Sequence, residues 1–188
     1  MEVMTAIRGR RSIRKYRPRE IPTEVLEEVL EAGRLAPSAG NRQAWELIIV
    51  TDKGTLGELV PACKNQQFVG ECSAFLAAVE VPGQRWSMTD LTIMMDHLTL
   101  AAHEKGLGTC WIGAFDKDAI GKLLGVPPDR SVAVCMTLGY PDEDPSPRSR
   151  KSPQELYHWE RYGSGNEVFG LPDACFVGVA DGNLLSKA

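Results

Sequence analysis

The sequence predicts an α+β fold in one main domain, and three observations carry that reading. Apolar runs with strand character occur at residues 45–50, 74–81 and 131–138. Helical patterns lie between them at uneven spacing, which does not give the regular βαβ units of a doubly wound sheet. A chain of 188 residues is long enough to bury a substantial core and too short to hold a second domain of similar size.

Taken in order, residues 2–8 predict a short helix. Pro22-Thr-Glu opens a clearer one, in which Val25, Leu26, Val29 and Leu30 recur at helical spacing before Gly33 and Pro37 stop it. Ala36-Pro-Ser-Ala-Gly-Asn-Arg-Gln43 is a polar turn leading into the strand Trp45–Val50. A helix over 54–62 follows, then the strand 74–81, ended by Pro82-Gly83. The longest helix is predicted over 89–105. Leu91, Ile93, Met94, Met95, Leu98, Leu100, Ala101 and Ala102 make it apolar on nearly every side, so it should be buried all round, in a core or against a partner subunit. After Gly106-Leu-Gly108 come a strand start, a helix over 117–124 and the strand 131–138. In the tail, Phe176–Val179 reads as a strand or arm and Asp181–Asn183 as a turn.

Composition narrows the class. The chain is 43% hydrophobic and 24% charged, with a net charge of −4 and a pI near 5.5, which disfavours broad binding to nucleic acid. No apolar run approaches the roughly 20 residues that cross a bilayer, and the N-terminus lacks signal-peptide order. No membrane partner and a cytoplasmic location are therefore expected. Cys63, Cys72, Cys110, Cys135 and Cys175 form no C-x-x-C pair, so they read as small core residues rather than disulfides or zinc ligands. His97 and His103 are six residues apart, which puts them on different faces of one helix and not at metal-pair spacing.

Against this acidic background, the stretch from Arg8 to Arg19 holds seven basic side chains and no acidic one. A solvated basic face is the plainer reading of such a run. A local anion is the sharper one, because arginine donors fit phosphate oxygens two at a time and Ser12 adds a hydroxyl. A second basic cluster, Arg148-Ser-Arg-Lys151, lies far along the chain. Between them, Ser38, Asn41 and Gln43 could read a heterocycle, or could simply satisfy their own loop. The dinucleotide fingerprint, a Walker loop and a G-x-S-x-G elbow are all absent.

Four motifs in order, Arg10-Arg-Ser-Ile-Arg14, Pro37-Ser-Ala-Gly-Asn41 with Gln43, Gly106-Leu-Gly-Thr-Cys-Trp-Ile-Gly113, and Gly139-Tyr-Pro141 with the late basic cluster, resemble the flavin-dependent nitroreductase family over roughly residues 3–162. The resemblance implies a mainly antiparallel sheet flanked by helices, and a domain-sharing homodimer that holds FMN noncovalently at its interface. Residues 1–162 would form the FMN-binding domain. Residues 163–188 would be a C-terminal extension that could clasp the dimer.

Carried over position by position, Arg10, Arg11 and Ser12 would contact the phosphate and the ribityl or pyrimidine groups, with Arg14 toward the pyrimidine edge. Pro37, Ser38, Ala39 and Asn41 would come from the partner subunit, and Gln66 would meet a flavin amide. Ile112 and Gly113 would pass beside the ring, while Arg148, Arg150 or Lys151 would close on the phosphate. Ala39 stands where many relatives carry a second serine.

The implied activity is an oxidoreductase that passes hydride from NADH or NADPH through FMN to nitroaromatics, quinones or similar acceptors, by ping-pong exchange and with no catalytic side chain. Alternatives are a specialised flavoenzyme of the same fold, such as a dehalogenase or a flavin-fragmenting enzyme, and a noncatalytic flavin-binding or redox-sensing protein. Trp86 and Trp111 read first as core residues, with a place in the acceptor slot as the other option. Asp90 and Asp96 read as caps or as partners for arginine.

Overall fold

The structure is a computed structural model, and residues 1–164 are described. The chain divides into two compact units, Met1–Pro145 and a second beginning at Ser146. The C-terminal expectations for 176–179 and 181–183, and Cys175, lie outside the described residues.

The first unit is built on four strands, β1 (Trp45–Val50), β2 (Ala74–Glu80), β3 (Gly108–Ile112) and β4 (Ser131–Gly139), in the spatial order β1-β2-β4-β3. Every neighbouring pair is antiparallel. The predicted strand runs are therefore present, and the α+β class holds. A bulge after Ala78 shifts the β2–β4 register by one residue.

Side chains alternate across the sheet and feed two apolar layers. On one face Phe75, Ala77, Val79, Ile112 and Cys135 pack with Leu56 and Leu59 of α3 (Lys53–Ala62), Val69 of α4 (Phe68–Glu71) and Ile120 of α6 (Lys117–Leu123). On the other, Leu76, Ala78, Met136 and Leu138 meet Val29 of α2 (Thr23–Arg34) and Leu91, Met94, Met95 and Leu98 of α5 (Ser87–Glu104). Burying such a side chain contributes about 2 kcal/mol, so the central strand β2, buried from Ala74 through Val79, anchors both layers. Two helices start on an aspartate cap. Asp52 accepts from the Thr55 backbone, and Asp116 accepts from Asp118 and Ala119.

The α5 helix has one flank in the core of this chain and one flank open. Leu91, Met94, Met95, Leu98, Thr99 and Ala102 are buried, but the opposite flank is not. There His97, Leu100 and Ala101, with Ala6 of α1 (Val3–Gly9), Ala32 and Leu35, line an open cavity of about 330 Å3. The single chain thus covers one side of a helix whose sequence is apolar on both. Trp86 and Trp111 are not core residues either, being 47% and 37% exposed. The four-residue α4 is too short to show a period in the sequence. Among the described residues no helix is long and apolar enough to cross a membrane.

In the second unit, α7 (Pro153–Leu156) starts on a capping box in which Ser152 and Glu155 satisfy each other's backbone ends.

Candidate functional site

The cationic segment leaves α1 and becomes an extended strap along the edge strand β3. Ser12 bridges to Thr109 in parallel fashion, and the Ile13 amide donates to the Thr109 carbonyl at 2.9 Å. Ile13 is buried and packs so tightly that a Cβ on Gly108 would meet its side chain at 2.5 Å, which is why glycine stands there. Tyr16 holds the far end of the strap. Its hydroxyl donates to the Ile13 carbonyl at 2.7 Å and accepts from Thr137 at the same distance. Burial raises the Tyr16 phenol well above its ordinary value, so it stays protonated.

A second loop is stitched onto the strap. The Arg17 amide donates to the Tyr140 carbonyl, the Asp142 amide donates to the Lys15 carbonyl, and the Arg14 amide donates to the Glu143 carboxylate at 2.5 Å. Arg17 and Asp142 also pair at 3.4 Å. Neither Asp142 nor Glu143 was singled out from the sequence. The available signal was Asp142-Glu-Asp144, an acidic run directly after Gly139-Tyr-Pro141.

The predicted residues take distinct roles here. Arg11 is committed to backbone: its Nη1 donates to the carbonyls of Arg8, Gly9 and Arg10 at 2.7, 3.2 and 2.9 Å, closing α1, and its Nε donates to Pro145 at 3.2 Å. Arg10 differs, because its Nε is buried with no hydrogen-bond partner among the described residues. A buried guanidinium donor without an acceptor is costly, and an anion at that point would satisfy it. Arg14 is exposed, and Ser12 is half-buried. His103 lies against Gly9, and burial followed by the charges of Arg11 and Arg10 lowers its pKa.

Ile112 and Gly113 end β3, with Ile112 buried and Gly113 exposed. Gln66 reaches the same place, its Nε2 donating to the carbonyls of Cys63 at 2.8 Å and Ala114 at 3.1 Å. Arg10 to Arg14, Gln66, Ile112 and Gly113 therefore gather at one edge of the sheet. Glutamine at 66 fixes the loop leaving β3 through its amide nitrogen.

Pro37, Ser38, Ala39 and Asn41 are elsewhere. Their 3₁₀ turn, Ala39–Asn41, leads into β1, the opposite edge strand. With a spacing of about 4.8 Å between strands, three steps separate the edges. The turn is fixed internally. The Ser38 hydroxyl accepts from the Gln43 amide, and the Ala39 amide donates to the buried carboxylate of Asp90, both at 3.0 Å. Asp90 thus caps a turn, whereas Asp96 is exposed. Gly40, Asn41 and Gln43 have φ of 59°, 54° and 50°, which glycine and asparagine tolerate best.

Arg148, Arg150 and Lys151 are exposed members of the second unit. The Arg150 Nη1 donates to the Arg148 and Ser149 carbonyls at 3.1 Å.

No side chain at the β3 edge is set up as a nucleophile. Cys110 is buried and its thiol is pushed up by burial, and the same cause brings Cys63 to about 11 and Cys72 to about 12. These thiols stay protonated. Cys63, Cys72, Cys110 and Cys135 are all free and buried, as the sequence predicts. Among the described residues no cluster of His, Cys, Asp and Glu could hold a metal ion.

Comparison with known proteins agrees with this architecture. The nitroreductase family model matches residues 7–81 and 65–140. A protein of Archaeoglobus fulgidus, provisionally named an NADH dehydrogenase/NAD(P)H nitroreductase, is 33% identical over 153 residues, covering 76% of this chain and 87% of its own. An FMN-dependent nitroreductase of Clostridium difficile superposes with a TM-score of 0.78 at 28% identity, over 85% of this chain and 99% of that one. The NADPH:FMN oxidoreductase of Vibrio harveyi, solved with NAD+, gives a TM-score of 0.81 at 27% identity, over 87% and 79%. A family model spanning most of the compact unit, joined to a relative 33% identical over most of both chains and to a shared fold, places the chain in the nitroreductase family.

Proposed function

We propose that the protein is an NAD(P)H-dependent FMN oxidoreductase that reduces electron-poor aromatic acceptors, nitroaromatics and quinones among them. The observation that carries this reading is the buried, unpartnered Nε of Arg10, at the turn from α1 into the strap. That donor set suits a phosphate monoester, and the pinned strap holds it at fixed geometry. When bound, FMN supplies the redox chemistry, taking up and giving back a hydride equivalent in turn.

The chain's own groups bind and orient. Arg10 and Ser12 hold the phosphate end. Arg14, whose backbone is fixed by Glu143, brings a guanidinium to the pyrimidine side, where positive charge favours the electron-rich form. Ile112 keeps its side chain in the core and brings only its backbone beside the ring, and Gly113, exposed and without a side chain, leaves room for donor and acceptor to use one slot alternately. That sharing is the basis for ping-pong kinetics. The Ser38–Asn41 turn, at the other sheet edge of its own chain, would serve the site of a second copy, making the working unit a homodimer.

The test starts with the visible spectrum. The purified protein should be yellow, bleach on mixing with a reduced nicotinamide, and recover colour with a quinone. Arg10→Ala should emerge colourless while melting near the parent temperature. A colourless parent, or a fully loaded Arg10→Ala, would overturn the assignment.

A further inference from the structure

A second cavity, of about 400 Å3, lies beside the 3₁₀ turn and at the start of α5, and nothing in the proposed flavin site accounts for it. Its lining includes Arg42, Gln84, Arg85, Trp86, Ser87 and Asp90. The walls are fixed. Asp90 ties the start of α5 to Ala39, and the Ser87 amide donates to the Gln84 carbonyl at 3.0 Å to close the preceding turn.

The chemistry of the lining is selective. Arg42 and Arg85 have no ion pair among the described residues, and Arg42 spends one nitrogen on the Ala39 carbonyl at 3.2 Å. Their one acidic neighbour in the lining, Asp90, is 4% exposed and accepts the Ala39 amide. Two guanidinium groups therefore outweigh one committed carboxylate, and the positive end of an 18-residue helix adds to them. Trp86 is 47% exposed, and the Arg85 guanidinium sits 5.4 Å from its ring centroid. An open indole face beside unpaired arginines fits a flat aromatic base that carries phosphate. The size is in the range of small-ligand sites, about 300–1,000 Å3.

Position identifies which phosphorylated base. Arg42 directly follows Asn41, the end of the turn assigned above to the second copy's flavin site. A ligand anchored at Arg42 and Arg85 would therefore border the turn that the proposed homodimer lends to the flavin site. We propose that this cavity binds the 2′-phosphorylated adenosine end of NADPH and makes the enzyme prefer NADPH to NADH. The inference rests on the oxidoreductase reading but concerns a separate site.

Adenosine 2′,5′-bisphosphate is the probe, titrated into the holoenzyme against adenosine 5′-monophosphate and followed by tryptophan fluorescence. The bisphosphate should quench and bind about tenfold tighter than the monophosphate; Trp86→Phe should lose most of the quench, and Arg85→Gln should weaken binding about tenfold. In turnover, the NADPH-to-NADH ratio of kcat/KM should exceed about ten and fall toward one in Arg85→Gln. Equal binding of the two nucleotides, or a wild-type ratio near one, overturns the proposal. It also fails if Arg85→Gln changes only the KM of an anionic quinone, since the cavity would then serve the acceptor. Failure of both nicotinamides to bleach the flavin defeats the oxidoreductase reading instead, and the fluorescence titration still decides the site.

Discussion

Tyr16 shows how one hydroxyl organises the cationic strap. It is buried, and its two hydrogen bonds join Ile13 to Thr137 of β4, so the strap is fastened to the sheet and not merely laid on it. Tyr16→Phe should cost about 1–3 kcal/mol, because the Ile13 carbonyl loses the Tyr16 hydroxyl in a dry place and Thr137 is left with only its longer bond to the Cys110 carbonyl. Chemical denaturation would read the loss, and a midpoint equal to the parent's would show the bond to be dispensable. Arginine identity was legible in the sequence, but arginine duty was not. Arg10 and Arg11 look alike on paper; one is left with a bare donor and the other closes a helix end, a division that depends on where α1 stops.

At the scale of elements, strands and long helices were legible because their apolar spacing is local. Trp45–Val50 is matched to the residue, and α2 begins at Thr23 as the Pro22-Thr-Glu signal implies. Four-residue helices carry no period and were missed. For α5 the sequence shows that both flanks seek cover, in a core or against a partner subunit, and the single chain covers one of them. Its covered flank is tight. A Cβ on Gly33 of α2 would come within 2.7 Å of Leu98, so the helices touch there with no slack. Leu98→Ala should lower stability by about 2–5 kcal/mol through lost transfer energy and the cavity left behind. A loss below about 1 kcal/mol would mean the helices close the gap by collapsing into it.

For the whole molecule, the legible part was the presence of four motifs, and the hidden part was their distribution. Strand order is a matter of non-local pairing, so no spacing along the chain shows that the strap borders one edge strand while the Ser38–Asn41 turn enters the other. The β2 and β4 registers add a second separation. Trp45 is level with Glu80 and hence with the start of β4, whereas Ser12 borders Thr109, which is level with Leu138 near its end. The two groups therefore occupy diagonal corners of one sheet.

That diagonal has a genetic consequence. For the homodimer proposed above, mixing a chain damaged at Arg10 with another damaged at Ser38 and Asn41 should complement: of the two pockets in each hybrid, one would inherit both lesions and the other none. Refolding equal amounts together should give hybrids as about half of all pairs by random assortment, each carrying a single sound pocket. Absorbance near the flavin band, absent from either parent alone, would then return to about a quarter of the wild-type yield. No return of colour from the mixture would mean that each chain builds its pocket without help.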